Sequence, residues 1–212
     1  GAPISPLLAN LYMRRFVLGW KKLGHEQRFQ AQIVNYADDF VICCRGSAEE
    51  ARHTMQTLME RLGLTVNEAK TRVCHVPDES FDFLGYTIGR CHSTQTGKAY
   101  IGTRPSKKRI TRVCGTIHEI TSSRWRMLDA QDRVVRLNRL LRGWANYFCL
   151  GPVSKAYRAI DAHTRHRLRR WLCRKHKVQG QGIARFPDDY LYRTLGLVRL
   201  APLTHNLPWA KA

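Results

Sequence analysis

The chain has 212 residues and a formal net charge of +20 at pH 7, because 36 lysines and arginines outnumber 16 aspartates and glutamates. Hydrophobic residues make up 43% of it, as in ordinary soluble proteins. No apolar run approaches the roughly 18 residues that a transmembrane helix needs. The seven cysteines are odd in number and form no CxxC pair, which disfavours a disulfide scaffold and a zinc site. We therefore expect a cytoplasmic protein with reduced thiols and no membrane partner.

The first part of the chain combines helical and extended patterns. From Ser5 to Gly24, apolar residues recur at helical spacing and predict a helix with Ser5 as its N-cap. Residues 47–63 predict a second helix, because Ser47 and Glu50 form a capping box. Strand-like runs lie between and after these helices, and FDFLGYTIG is predicted to be one continuous strand. This order is typical of an α+β fold, with helices on one face of an antiparallel sheet.

Two adjacent aspartates interrupt an apolar stretch, NYADDFVICC. The runs 33–37 and 40–44 predict strands, with Asp38 and Asp39 at the tip of a two-residue hairpin. Neighbouring side chains of a straight strand point to opposite faces, so only a turn brings both carboxylates together. A hard cation such as Mg²⁺ would relieve their repulsion, because it binds one or two carboxylates plus substrate phosphates. Two such ions about 4 Å apart can activate a 3′-hydroxyl and stabilise leaving pyrophosphate.

A simpler interpretation of the pair is that Asp-Asp is a favourable turn sequence. The chain contains a second such pair, Asp188 and Asp189, which follows Pro187 and precedes a helical pattern. There we expect the acids only to complement the dipole of a helix N-terminus. The pair alone is therefore a weak signal, and the surrounding segments decide between the two interpretations.

From Pro105 onward the apolar period is helical. Helices are predicted from near Ser106, over residues 129–151 and over residues 154–177, and they predict a small bundle. The charge changes at the same place: residues 1–103 hold 12 Lys/Arg and 10 Asp/Glu, whereas residues 104–176 hold 19 and 4. A nearly balanced part joined to a strongly basic part predicts two modules, the second facing a polyanion.

Several blocks of the chain resemble, in the same order, those of bacterial group II intron reverse transcriptases. The resembling segments are GAPISPLLANLYM, YADDF, GLTVNEAKTRV, FDFLGYTI, LNRLLRGWANYF and FPDDYLYRTLGLVRL. YADDF is similar to the catalytic motif of that family, and the last two segments are similar to its maturase, or thumb, domain. The family consists of RNA-directed DNA polymerases that also help their intron RNA to fold and splice.

The resemblance implies a domain order and a set of partners. It implies a partial reverse-transcriptase palm over residues 1–103, a helical thumb or maturase domain over residues 104–179, and the C-terminal tail of that domain over residues 180–212. Intron RNA and a template–primer duplex are the implied partners, with dNTP as substrate of the full-length parent and the bacterial cytoplasm as location.

The same resemblance implies a catalytic set. Asp38 and Asp39 correspond to two metal ligands of a two-ion Mg²⁺ site, which an aspartate outside this chain completes. Lys70 corresponds to the lysine that donates a proton to the leaving pyrophosphate; the alternative is a solvated turn lysine. Because the third aspartate and the fingers lie outside the chain, we expect this polypeptide alone not to polymerise DNA.

Further nucleic-acid contacts are implied by position in the resembling blocks. Pro3 and Ile4 are expected near the template and incoming nucleotide. Tyr36 and Ala37 are expected beside the primer terminus, and Leu84 and Gly85 in the primer grip. A glycine in the primer grip would let the primer backbone approach closely. The alternative, chiefly for Leu84, is an ordinary core strand.

The basic half supplies candidate RNA contacts, because Lys and Arg that neutralise phosphates release counterions. Four arginines spaced at three would lie away from the apolar stripe of one helix, and four more lie on the next helix. They are Arg133, Arg136, Arg139, Arg142, Arg165, Arg169, Arg170 and Arg174. The alternative is a solvated helix face. Trp144, Tyr147 and Phe148 match the apolar stripe, so we expect them in the core rather than stacked on bases.

Three functional hypotheses remain open from the sequence. The first is the palm and thumb of a reverse transcriptase and maturase. The second is an RNA-binding module without polymerase activity. The third is a degenerate remnant, which the intact capping, periodicity and motif spacing disfavour.

Overall fold

The computed structural model describes residues 4–93 and 96–207, and the chain divides into two compact units, Gly1–His75 and Val76–Ala212. We call them the N-terminal unit and the C-terminal unit. Pro3, expected near the template, lies outside the described residues. Both units combine helices with antiparallel strands, which confirms the predicted α+β class.

The N-terminal unit consists of helices around one β-hairpin. Its elements are α1 (Ser5–Lys22), α2 (His25–Arg28), β1 (Gln32–Tyr36), β2 (Asp39–Cys43) and α3 (Ala48–Arg61). Phe16 and Trp20 of α1 pack with Met55 of α3 in a common core. Phe40 of β2 contacts Phe16, with ring centroids 5.3 Å apart. The core therefore lies between the helices and one face of the hairpin.

The caps of these helices partly follow the sequence prediction. Ser47 Oγ accepts a hydrogen bond from the Glu50 amide at 3.3 Å, so the predicted N-cap of α3 is confirmed. The second half of the predicted capping box does not form among the described residues, because the Glu50 carboxylate accepts from Arg28 at 3.5 Å. Ile4, not Ser5, is the N-cap of α1, and no side chain caps that end. Pro6 lies in the first turn of α1, where its missing N–H costs nothing because that donor has no partner within a helix.

The C-terminal unit joins a three-stranded sheet to a helical bundle. Its strands are β3 (Phe81–Phe83), β4 (Tyr86–His92) and β5 (Ala99–Pro105), and its long helices are α4 (Lys107–Ile120), α5 (Ala130–Tyr147) and α6 (Ser154–Lys175). Short helical turns cover Ser123–Trp125, Tyr190–Thr194 and Ala201–Asn206. Strand order is β3-β4-β5, with every neighbouring pair antiparallel.

The prediction of one continuous strand over FDFLGYTIG was wrong. Phe83 pairs with Tyr86, so Leu84 and Gly85 form a two-residue turn between β3 and β4. Both residues take positive φ, 51° and 84°, as a two-residue hairpin turn of type I′ requires. The apolar character of Leu84 hid this turn, because leucine rarely adopts such a conformation.

One hydrophobic core holds the bundle together. Ile117 of α4, Leu137 and Leu141 of α5, and Ile160 and Leu168 of α6 are fully buried in it. The chain after α6 adds apolar side chains to the same core, Phe186, Leu191, Leu195, Leu197 and Leu200. The C-terminal segment is therefore an integral part of the bundle.

Two further findings concern membranes and thiols. Among the described residues, no helix combines the length and apolar character needed to cross a lipid bilayer. Within the described part of the chain, which includes all seven cysteines, no disulfide bond is formed.

Candidate active site and nucleic-acid surface

The adjacent aspartates lie on the β1–β2 hairpin, one residue away from the predicted register. Tyr36 pairs with Asp39, so the turn consists of Ala37 and Asp38, and Asp39 is the first residue of β2. Ala37 takes a φ of 54°. A two-residue hairpin needs positive φ at its first central position, and the chain meets that requirement with alanine rather than with an aspartate.

Asn35 holds this turn together. Its side-chain amide donates to the carbonyl oxygen of Ala37 at 2.9 Å and, more weakly, to that of Asp39 at 3.4 Å. Sequence reasoning did not select Asn35. The signal was present, since asparagine side chains commonly bond backbone groups a few residues away in turns. Asn35 thus fixes the backbone that carries both carboxylates.

Both carboxylates are accessible. Asp38 and Asp39 are exposed, and within the described residues neither accepts a hydrogen bond nor lies within 4.0 Å of a basic group. Over residues 4–93 and 96–207, no cluster of three or more His, Cys, Asp and Glu side chains is placed to hold a metal ion. The pair matches what Mg²⁺ takes from a protein when substrate phosphates supply the remaining ligands.

Three other expected active-site residues of the N-terminal unit, Ile4, Tyr36 and Lys70, are also exposed, whereas Ala37 is partly buried. Tyr36, opposite Asp39, is 64% exposed, and Ile4 at the start of α1 is 57% exposed. Lys70 lies in a turn in which its backbone amide donates to Asn67 O at 3.1 Å and to Asn67 Oδ1 at 3.2 Å. Among the described residues, its side chain has no acidic partner within 4.0 Å.

The expected primer-grip residues, Leu84 and Gly85, lie in the C-terminal unit, where two tyrosines attach their turn to α5. Tyr147 Oη donates to Leu84 O at 2.9 Å, and Tyr86 Oη donates to Tyr147 O at 2.6 Å. The Ser106 amide donates to Gly85 O at 2.9 Å. Sequence reasoning missed this connection, because tertiary contacts leave no local pattern.

Gly85 is required at its position for two reasons. Its φ of 84° is unfavourable for any residue with a side chain. A Cβ atom there would lie 2.9 Å from Arg109 Nε and 3.3 Å from Phe148 Cζ. The glycine therefore allows the turn to pack closely against α4 and the end of α5.

The candidate RNA-binding arginines fall into three groups. Those that are exposed are Arg136, Arg139, Arg142, Arg170 and Arg174. Arg165 and Arg169 are partly buried in ion pairs. Arg133 is only 4% exposed, so its predicted place in an exposed row was wrong. A row spaced at three drifts around the helix, and it brings Arg133 to the edge of the buried stripe, above the Trp125 ring at 5.6 Å.

The ion pairs of α6 centre on Asp188. Arg165 Nη1 donates to Asp188 Oδ2 at 2.9 Å; Arg169 donates Nη2 to Asp188 Oδ1 and Nε to Phe186 O at 2.8 Å. Burial would raise the pKa of Asp188, but the Arg169 hydrogen bond and the Arg165 charge hold that pKa below its ordinary value. Asp188 therefore anchors the C-terminal segment to α6 and does not merely complement a helix dipole.

The three aromatic side chains at the end of α5 differ in how deeply they are buried. Phe148 is 5% exposed and belongs to the core, as predicted. Tyr147 is 54% exposed, so its prediction as a core residue was wrong. Its ring stacks on Tyr86 with centroids 6.2 Å apart, and its hydroxyl is used by the hairpin. Trp144 is partly buried against the core.

Two known family models match the chain. Residues 1–88 match the family model of reverse transcriptase (RNA-dependent DNA polymerase), and residues 110–186 match that of the group II intron, maturase-specific domain. No curated protein matches the chain. The two matches follow each other in the chain and take in most of it. The chain belongs to the group II intron reverse transcriptase and maturase family.

Proposed function

We propose that this chain carries the aspartate pair of an RNA-directed DNA polymerase together with a maturase-type surface for intron RNA. The observation that carries the first part is the state of Asp38 and Asp39. They are adjacent, exposed and without a hydrogen-bond or ion-pair partner in the described part of the chain, on a hairpin fixed by Asn35. Two carboxylates left unpaired in a chain of net charge +20 are suited to a divalent cation.

The proposed roles follow the family. Asp38 and Asp39 hold Mg²⁺, which when bound makes the primer 3′-hydroxyl more acidic and stabilises the leaving pyrophosphate. Tyr36 and Ala37 contact the primer terminus, and Lys70 donates a proton to the leaving pyrophosphate. Leu84 and Gly85 belong to the primer grip, through backbone groups that Tyr147 and Ser106 already hold in place.

The metal site is tested with Mn²⁺ as a paramagnetic substitute for Mg²⁺. We expect Mn²⁺ to broaden the amide signals of residues 36–39 in the NMR spectrum of the chain, and Asp38→Asn to abolish this broadening. Glu60→Gln, which removes an exposed acid of α3, is the matched control and should leave it intact. Broadening spread evenly over all exposed acids would contradict a site at the hairpin.

Polymerase activity of the chain alone is a separate question. A two-ion site needs more ligands than two carboxylates, and within the described residues no third acidic, His or Cys side chain joins them. We therefore propose that the chain by itself does not extend a primer on an RNA template in the presence of Mg²⁺. Robust synthesis by the purified chain, abolished by Asp38→Asn, would refute this.

A second function, RNA binding without polymerisation, is favoured by the exposed arginines of α5 and α6. The C-terminal unit holds 26 Lys/Arg and 9 Asp/Glu. In a filter-binding titration with structured RNA we expect affinity to fall steeply with salt, and the slope to decrease by about 1.5 when Arg139 and Arg142 are both changed to Gln. Arg61→Gln, on α3, is the control. Binding that does not depend on salt would contradict this function.

A further inference from the structure

A small cleft lies between α6 and the segment that follows it in the C-terminal unit. Its volume is about 260 Å³. One side is a single face of α6, since the residues contributed recur at intervals of three, four and seven. The lining residues are Arg158, Asp161, Ala162, Arg165, Asp188, Tyr192, Arg199 and Ala201. The cleft thus contains three guanidinium groups and two carboxylates.

Both carboxylates are fully used by the protein. Asp161 accepts hydrogen bonds from the backbone N–H of Leu200, at 2.9 and 3.1 Å, and from that of Ala201 at 2.9 Å. Asp188 accepts hydrogen bonds from Arg165 and Arg169. The two acids therefore fix the walls of the cleft. Neither carboxylate needs a cation to balance it, because protein N–H groups already donate hydrogen bonds to its oxygens.

Two arginines retain free hydrogen-bonding capacity. Arg158 uses only Nε, which donates to Ser154 O at 3.3 Å. Arg199 lies with its guanidinium 3.8 Å above the ring centroid of Tyr192. In the described part of the chain neither has an acidic partner within 4.0 Å. The terminal nitrogens of both groups can therefore donate to a ligand.

The stacking of Arg199 on Tyr192 favours binding. A guanidinium held against an aromatic ring has already lost much of its rotational freedom, so less entropy is lost when a ligand binds. Its planar edge can then form two parallel hydrogen bonds to one oxyanion group, a geometry that suits phosphate. The cleft is smaller than ordinary drug-sized pockets, so it suits one such group rather than a whole nucleotide.

We propose that this cleft binds a single phosphate group through Arg158 and Arg199. The proposal rests on the proposed RNA-binding function for the source of the phosphate, which we take to be a phosphodiester of the RNA backbone. Arg165 adds positive charge nearby while its hydrogen bonds remain with Asp188. The cleft would thus fix one defined point of the RNA on the surface that carries the exposed arginines of α5 and α6.

The test follows the side-chain Nε–H NMR signals of Arg158 and Arg199 in the intact chain. Two ligands are titrated at constant ionic strength, a short single-stranded oligoribonucleotide and inorganic phosphate. We expect the RNA to shift both signals, and Arg158→Gln or Arg199→Gln to weaken RNA binding about fivefold or more. Arg193→Gln, in the adjacent turn and 81% exposed in its side chain, is the matched control and should change affinity little.

Each outcome of this test decides a question. Shifts with RNA support the phosphodiester source, and shifts with inorganic phosphate alone support the cleft while contradicting RNA as its ligand. RNA binding without a shift of either arginine overturns the cleft but leaves RNA binding by the chain standing. No shift with either ligand overturns the proposal. Arg199→Lys, which keeps the charge but loses the planar fork, should bind more weakly than the wild-type chain if the geometry is correct.

Discussion

Arg133 illustrates how the position of one residue on a helix decides between two roles. Its spacing from Arg136 and Arg139 predicts a phosphate contact, yet it is buried, and among the described residues its Nε and Nη1 have no hydrogen-bond partner. Burial and the charge of Arg136 lower its pKa, against the opposing effect of Asp132. A buried donor without an acceptor costs about 1–3 kcal/mol, which contact with the Trp125 ring offsets in part.

We expect Arg133→Met to raise the free energy of unfolding by about 1 kcal/mol, because methionine fills the same space without unmet donors. RNA affinity should not change. The matched change Arg136→Met, on the exposed side of the same helix, should leave stability nearly constant and weaken RNA binding. Chemical denaturation and filter binding measure the two effects. A loss of RNA affinity in Arg133→Met equal to that in Arg136→Met would contradict a purely structural role.

The β3–β4 hairpin depends on contacts from outside itself. β3 has only three residues, and Leu84 in its turn takes a positive φ that leucine normally avoids. Tyr147 and Tyr86 hold this turn on the end of α5 through two reciprocal hydrogen bonds. The turn is therefore maintained by the helical bundle rather than by its own sequence.

Removing the hydroxyl group of Tyr147 tests this dependence. We expect Tyr147→Phe to lower the free energy of unfolding by about 1 kcal/mol and to speed amide exchange at residues 81–86, while exchange in α6 stays constant. Tyr100→Phe is a matched control in the same sheet, because the Tyr100 hydroxyl is buried and has no partner in the part of the chain that the structure describes, so its loss should not destabilise the fold. Equal effects of the two changes would show that the Tyr147 hydrogen bond contributes nothing specific.

The same elements show what local sequence predicts and what it does not. The helices α3 to α6 follow from apolar periodicity and, for α3, from the Ser47 cap, because those signals lie within a few residues. The turn of the β1–β2 hairpin was predicted one residue too late. Asp-Asp is a favourable turn sequence, but Ala37 is the residue that takes the positive φ. The turn at Leu84 was missed because leucine rarely takes a positive φ, and because Tyr147, which holds the turn, is 63 residues away in the chain.

At the scale of the whole molecule, composition and packing divide the chain at different places. Charge changes near residue 104, whereas the compact units meet between His75 and Val76. The C-terminal unit therefore contains the sheet of the expected primer grip together with the basic helices. The charge boundary depends on which residues face a polyanion, whereas the packing boundary depends on which elements share a core. The two boundaries therefore need not coincide. The aspartate pair was found from the sequence because its signal is a contiguous motif.

The C-terminal segment adds a pH-dependent contribution to the stability of the C-terminal unit. Asp188 joins this segment to α6, and Arg169 and Arg165 lower its pKa despite burial. A carboxyl group whose pKa is lower in the folded state stabilises the fold above its unfolded pKa. That contribution disappears as the pH falls through the folded pKa. The affected range therefore lies below the ordinary value of 3.8, and it extends downward from there.

We expect the thermal unfolding midpoint of the wild-type chain to fall on acidification from pH 5 to about pH 2, and Asp188→Asn to flatten this dependence while lowering the midpoint at pH 7. The neighbouring acid provides the control. Asp189 is 73% exposed in its side chain, and within the described ranges its one ion-pair partner is Arg193, at 3.5 Å and four residues along the chain. Such exposed pairs contribute little. Asp189→Asn should therefore retain the wild-type profile. If both variants keep the wild-type acid dependence, the anchoring role of Asp188 is wrong and the acid sensitivity must come from other carboxyl groups.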